Sequence, residues 1–557
     1  MNTQARELFF FRQGATLDAL RELASSDELV FYCGAGVSID RTDVSWPQLV
    51  ESVFRMVQAR RNSSKTMAQS IDYLLQHLDD PRQRASIVVE QYSTPTQSDN
   101  DFLASKLKDI LYEKNGWNEG YILRNLIQAS FVAALGGRRV VIITTNYDTF
   151  IESGFSTRRE FLARGLAPER LPGLVRRVYT GDSFENVLVH ESGELAGDVE
   201  VIYLHGRVDP VGAVEGNIVL TEASYAESRD RSVQVLMEQF QGKSRGVLVV
   251  GASLTDEPLI HALALTKGEA GNRYALLSTP RELNVIDPRF APADGSASLV
   301  TPKSVGEALE LRGKHLGLGV LRPLGYTQSA QFLEELRVSV DSRNAADDTF
   351  YADDSNNVNY AARLKIWHST WAKRKLTRDP KRTYEVLHEG LEQIRLDLKE
   401  KAESGERFRV ELWARKDPRS NNRVLTLWGN STGPILDKSM YRTEPISSDS
   451  GNASIRAFLA GRPLLMSLDT LGFPDEASRW KTFLSVPIFV QVSTVVAGND
   501  VQSYVPAGVI TLTSDRRLSG ESDQLSVFAD GGPDIPTLRG VKEVLIGMGR
   551  ETLRPND

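Results

Sequence analysis

The chain has 557 residues, too many for one hydrophobic core, and its length suggests two to four domains. Its 66 basic and 73 acidic side chains leave a net charge of −7, which removes the bulk electrostatic case for nucleic acid. A single cysteine, Cys33, excludes an internal disulfide and any multi-cysteine zinc site, the seven histidines show no metal-ligand spacing, and no metal is expected.

No apolar run approaches the ~18–20 residues that a membrane helix needs. The opening segment MNTQARELFFFRQ lacks the apolar region of a signal peptide. A soluble, cytoplasmic protein is therefore expected, with no membrane partner and no direct nucleic-acid binding.

In chain order, residues 5–26 read as a helix leading into a buried strand, Leu29–Tyr32, which runs through Cys33 into Gly34-Ala35-Gly36. Glycines there permit positive φ and leave no Cβ in the way of a ligand. A following helix would aim free N–H groups and its positive dipole end at a phosphate over the turn. An ordinary strand-to-helix turn explains the same residues, because the third glycine of a GxGxxG fingerprint is replaced by Ile39. Trp46–Arg60 has helical spacing, and residues 64–136 carry helical patterns without strand-like alternation, as expected of a helical insertion.

Further apolar strands are predicted at 138–143, 199–204, 246–250, 274–277 and 318–321, alternating with helices at 222–241, 256–267 and 328–340. That alternation predicts an α/β fold, a doubly wound, Rossmann-like parallel sheet. Ligands of such sheets bind beyond the carboxyl ends of the strands. Four segments lie at such ends: GAGVS (34–38), TTNYD (144–148), LHG (204–206) and GASLTDEPL (251–259).

An acidic, amide-rich stretch, AADDTFYADDSNNVN, reads as part of a linker over 342–365. Beyond it, a charged helix at about 380–402, strands at 407–414 and 423–428, a helix at 452–460, strands at 483–493 and 507–513 and a helix at 536–549 predict an α+β domain with an antiparallel sheet.

Taken in order, the four segments resemble the Sir2 (sirtuin) family and its bacterial Sir2-like defence relatives. The likeness covers roughly residues 1–341, which then form one NAD-binding domain containing the helical insertion. It implies that Gly34, Ala35, Gly36, Val37 and Ser38 cradle the pyrophosphate of NAD, with Thr145 beside it. It implies that Asn146 and His205 act at the nicotinamide ribose, that Asp148 shapes the nicotinamide pocket, and that Gly251 and Ser253 line the adenosine side. Such residues suit cleavage through an oxocarbenium-like state, since an amide can orient a water or hydroxyl and an imidazole can accept a proton near neutral pH. Taken singly, the NYD segment could be an Asx turn or helix cap, and a lone histidine is more often structural.

Deacylase sirtuins carry two cysteine pairs for a structural zinc and a GIPDFR-like stretch after the glycine turn; this chain has neither, with IDRTDVSWPQL at 39–49. The resemblance is thus to the defence type, in which water captures the ribosyl group and NAD is hydrolysed to nicotinamide and ADP-ribose. Residues 366–557 resemble a GAF-type sensor through GNASIRAFLAGRPLLM, FLSVPIFV and PAGVITLTSD, and a dimerisation or partner-docking module fits them equally. The resulting expectation is an antiviral, abortive-infection NAD hydrolase gated by an unknown ligand or protein at its C-terminal domain, and a homo-oligomer. A sirtuin-type deacylase and a non-catalytic NAD or ADP-ribose sensor are the alternatives. Gly36→Val is expected to weaken NAD binding more than folding.

Overall fold

The computed structural model describes residues 10–11, 13–42, 44–60, 78, 80–92, 99–114, 120–163, 175–180, 199–268, 270–278, 302–344, 360–374, 379–398, 405–415, 424–437, 441–447, 450–468, 470–473, 478–496, 499–518, 525–529 and 535–555. Within helices and strands at the edges of these spans, the side chains of 54–60, 91–92, 99–100, 113–114, 157–163, 175–178, 270, 302–305, 341–344, 361, 494–496, 499–501 and 535 are not described. The stretch 345–359 of the predicted linker, residues 5–9 of the first predicted helix and residues 64–77 of the predicted insertion lie outside the described residues.

Seven strands form the first sheet: β1 (Glu28–Cys33), β2 (Arg139–Thr144), β3 (Val175–Tyr179), β4 (Val199–Tyr203), β7 (Gly242–Val250), β8 (Ala270–Leu276) and β9 (Gly319–Leu321). Their order is β3-β4-β2-β1-β7-β8-β9, and every pairing is parallel. Strand β3 was not predicted; it is a short edge strand. Between β4 and β7 lies a separate two-stranded ribbon, β5 (Arg207–Val208) with β6 (Val214–Glu215).

The two-residue period of a strand explains why the central strands are apolar throughout. Leu29, Phe31, Val140 and Ile142 point into one core with the helices Gly14–Ser25, Tyr121–Leu135 and Tyr326–Asn344. Val30, Tyr32, Val141 and Ile143 point into the opposite core with Glu222–Phe240, Glu257–Leu265 and Pro302–Leu316. The first helix is thus shorter at its described end than predicted, starting at Gly14 after a turn at Phe10 and Phe11.

A third apolar cluster joins the helices Trp46–Arg60, Pro81–Tyr92 and Asp99–Lys108 to Tyr147, Val208, Ile218 and Leu220. It stands over the carboxyl ends of the strands. Tyr121–Leu135, at the far end of the predicted insertion, instead packs in the main core through Ile122, Leu126 and Phe131.

Register levels the strand ends. Cys33 pairs with both Thr144 and Val250, and Thr144 pairs with Tyr203. At the opposite ends, the Glu28 carboxylate accepts from Arg139 at 3.0 Å and Arg245 at 2.7 Å, and Arg139 also reaches Glu200 at 2.8 Å. These part-buried ion pairs hold β1, β2, β4 and β7 together away from the site.

The C-terminal sheet is antiparallel, in the order β12-β11-β10-β15-β14-β13, from β10 (Phe408–Arg415), β11 (Val424–Asn430), β12 (Thr443–Pro445), β13 (Leu464–Ser467), β14 (Thr482–Val496) and β15 (Asn499–Ser514). The predicted α+β arrangement is present. Helix Tyr360–Trp371 begins within the stretch read as linker; its Tyr360, Leu364, Trp367 and Trp371 join the C-terminal core. The indole N–H groups of Trp367 and Trp371 donate to the carbonyls of Leu553 and Thr552 at 2.7 and 2.9 Å, satisfying the end of helix Ile535–Leu553. Among the described residues, no helix is long and apolar enough to cross a membrane.

Helix Tyr326–Asn344 lies between the two sheets. Gln331 donates to the Tyr504 carbonyl at 3.0 Å, Thr327 to the Phe458 carbonyl, and the buried Arg363 pairs with Glu335. Tyr121 stacks on Phe489 with 3.7 Å between ring centroids.

Candidate active site

The strand order reverses direction at β1, which has β2 on one side and β7 on the other. This is the switch point where doubly wound sheets open a crevice. A cavity of about 670 Å³ occupies it, within the ~300–1,000 Å³ usual for small-molecule sites. Its walls come from the segments after β1, β2, β4 and β7, and from the helical cluster through Trp46, Leu49 and Leu111. Gly34, Ala35, Gly36, Ser38, Thr145, Asn146, Asp148, His205, Gly251 and Ser253 all line it.

Val37 is the exception among the predicted residues. The tight turn Ala35–Val37 rotates its side chain into the main core, where it is fully buried.

The glycine turn differs from expectation in its amides. Only the 3₁₀ turn Ala35–Val37 and one helical turn, Ile39–Thr42, follow β1. Gly34 N–H donates to the Val250 carbonyl at 3.0 Å and Gly36 N–H to the Gly251 carbonyl at 2.9 Å; Val37 and Ser38 donate to Gly34 and Ala35 at 3.0 and 3.2 Å. These four amides are therefore engaged within the protein, and no long helix adds its dipole.

The glycines serve a contact between two turns. A Cβ on Gly36 would stand 2.7 Å from Gly251 Cα, and one on Gly34 would stand 2.6 Å from the Gly251 carbonyl oxygen. Gly251 itself has φ +66°, and its Cβ would meet Val37 N at 2.5 Å. A valine at Gly36 would strike this backbone, so the substitution is expected to cost folding as well as NAD binding.

A buried hydrogen-bond chain crosses the floor. Asn146 Nδ2 donates to Ser38 Oγ at 2.9 Å, and Ser38 Oγ donates to Asp148 Oδ2 at 2.8 Å. The Asn146 amide N–H donates to Thr144 Oγ1 at 3.0 Å, and Asp148 Oδ1 caps Phe150 N–H at 3.2 Å. The Asx-turn reading of this segment is thus literally present at Asp148, while the Asn146 side chain is held toward the cavity. Burial raises the Asp148 carboxyl above its usual range, opposed by the Ser38 hydrogen bond and the nearby Arg41 cation.

His205 follows β4 in a turn closed by Gly206, φ +75°, whose Cβ would meet the Asn217 carbonyl oxygen at 2.5 Å. Burial lowers the imidazole's proton affinity; the Asp256 carboxylate and a hydrogen bond to the Thr145 backbone act in the opposite sense. The balance leaves a neutral ring at pH 7, able to accept a proton.

Sequence reasoning passed over several lining residues. Tyr32 donates to Asp256 Oδ2 at 2.6 Å across the cavity wall. Tyr225 packs edge-on to His205 with 5.1 Å between centroids, and Trp46 meets Tyr225 at 6.4 Å. Asp80 and Arg82 line the cavity from the start of helix Pro81–Tyr92, and Tyr326 from the start of Tyr326–Asn344. Asp256 falls in the segment GASLTDEPL quoted above, Tyr225 in the helix predicted at 222–241, and Tyr32 shows a polar-tipped aromatic at a strand's carboxyl end. Nothing in the sequence marks Asp80 or Arg82.

Among the described residues, no group of three or more His, Cys, Asp or Glu could hold a metal ion.

The family model described as SIR2-like domain matches residues 140–292. That span begins in β2 and contains Asn146, Asp148, His205, Gly251 and Ser253; the glycine turn precedes it. The match supports placing this part of the chain in the Sir2-like superfamily, whose domains bind NAD. No curated protein matches the sequence.

Proposed function

We propose that the protein hydrolyses NAD at the nicotinamide–ribose bond, releasing nicotinamide and ADP-ribose. The observation that carries this reading is the meeting of Asn146, His205 and Asp148 with both glycine turns in one cavity at the sheet's switch point. The glycosidic C–N bond breaks, and its electron pair returns to the nicotinamide ring, which leaves neutral. Water adds at the anomeric carbon, and its proton passes to the neutral His205 imidazole and on to solvent. Asn146, held by Ser38, orients the attacking water or the ribose hydroxyls.

Hydrolysis is favoured over deacylation by the lack of a four-cysteine zinc module, since Cys33 is the sequence's single cysteine; Trp46, Pro81 and Tyr225 of the same chain line the cavity.

The six-stranded antiparallel sheet with its flanking helices supports a GAF-type reading of the C-terminal part, acting as a regulator of an NAD-depleting antiviral effector in the cytoplasm. Its contacts with Tyr326–Asn344, whose first residue lines the cavity, offer a route for such control.

Purified protein incubated with NAD should release nicotinamide, and Asn146→Ala and His205→Ala should each lower the rate by two to four orders of magnitude, roughly the contribution of a positioned base. Wild-type turnover by His205→Ala refutes its assigned role.

A further inference from the structure

A dinucleotide brings two phosphate charges into a cavity poorly prepared for them. Four amides of the glycine turn already donate to carbonyls. Four carboxylates line the walls: Asp80, Asp148, Asp256 and Glu257. Among the described lining residues, the one lysine or arginine is Arg82.

Arg82 is placed for a ligand. Its guanidinium carbon stands 5.4 Å from the centroid of Tyr225, whose ring is 5.1 Å from that of His205, so one aromatic ring separates the cation from the proposed base. The group is now held by Asp80: Nε lies 3.1 and 3.0 Å from the two carboxylate oxygens and Nη2 lies 2.7 Å from Oδ2. Both side chains are partly exposed, 36% for Arg82 and 28% for Asp80. Solvent-exposed ion pairs contribute little, so this one is readily exchanged. Phosphate offers the same bidentate geometry with more charge.

Resting on the NAD reading, we infer that Arg82 is the cavity's pyrophosphate-binding cation, released by Asp80 and captured by the phosphates when the dinucleotide enters. Asp80 then acts as an internal competitor that occupies the cation in the empty site and selects for ligands carrying phosphate. The two partners therefore have opposite effects on affinity, although they form one ion pair.

The test is calorimetric titration of full-length wild type, Arg82→Gln and Asp80→Asn with ADP-ribose and with nicotinamide riboside, which lacks phosphate. Arg82→Gln should weaken ADP-ribose binding roughly tenfold to a hundredfold, the loss of a charge-assisted pair of hydrogen bonds. Asp80→Asn keeps an oxygen to accept from the Arg82 amide, now 2.9 Å from Asp80 Oδ1, and should tighten ADP-ribose binding severalfold. Neither substitution should move the affinity for the riboside. If both variants weaken ADP-ribose alike, or the riboside follows the same pattern, the pair is structural and the inference falls. Should wild type bind neither compound, the NAD reading fails as well; binding by wild type with no response to either substitution sinks the Arg82 assignment alone.

Discussion

Asp40 shows how strongly the ground beneath the site constrains single side chains. It lies in the helical turn Ile39–Thr42, is 3% exposed, and accepts from Ile122 N–H at 2.8 Å, capping the helix Tyr121–Leu135 from a distance. Burial raises its pKa to about 7, opposed by backbone hydrogen bonds and by Arg462 of the C-terminal half. A carboxyl raised in the folded state holds its proton better there than in the unfolded chain, where it titrates near 3.9. Its contribution is full below pH ~4 and is lost as pH rises through 7. Asp40→Asn keeps an acceptor for Ile122 but does not ionise. Melting curves should show the variant gaining stability relative to wild type between pH 5 and 8; parallel pH dependences would mean that Asp40 is ionised throughout. His205 titrates in the other direction. Because burial lowers its pKa, the acid limb of the rate profile should lie below the ordinary ~6.5 of a free imidazole. A limb above 6.5 would show the ring stabilised as imidazolium, and the base assignment would fail.

Among the elements, the two glycine turns form the joint on which β1 and β7 meet. Gly36 and Gly251 touch through backbone, so a side chain at either pushes the turns apart. Gly36→Val should cost ~1–3 kcal/mol, as overpacked cores do, and lower the melting temperature along with NAD affinity. An unchanged melting temperature with NAD binding lost would restore the view that the glycine only clears space for phosphate. The sequence displayed β1, β2, β4 and β7 because apolar runs leading into glycine or Asx have few other solutions, and it displayed β8 and β9 as shorter apolar runs. It hid β3, whose residues Val175–Tyr179 (VRRVY) mix charge with apolar residues. It also concealed the helix Tyr360–Trp371, which starts beside an acidic stretch. The site followed the same rule. Lining residues in the segments after strand ends were legible, Tyr32 within β1 was not, and Asp80 and Arg82 reach the cavity only through the packing of a helical cluster, which no local pattern encodes. Val37 stands apart from the lining residues because a 3₁₀ turn, unlike a helix start, turns its side chain inward.

For the molecule as a whole, the question is whether the C-terminal half bears on the cavity. Tyr326 lines it, while the neighbouring Gly325 and Thr327 lie against Leu459 and Phe458 of helix Ala453–Ala460. Tyr121 of the first core stacks on Phe489 of the second. If the halves are coupled, Phe489→Ala should change resting NAD turnover severalfold, although Phe489 is not among the residues lining the cavity. Identical kinetics in a folded variant would leave the C-terminal sheet without a regulatory role through this contact. The most direct test of the account is turnover of NAD by the full-length protein in ¹⁸O-water, with and without an acetyl-lysine peptide. Hydrolysis predicts nicotinamide and ADP-ribose in equal amounts, one ¹⁸O at the anomeric carbon of the ADP-ribose, and no dependence on the peptide. Nicotinamide release that requires the peptide, or binding of NAD with no release from Asn146- and His205-intact protein, would contradict it.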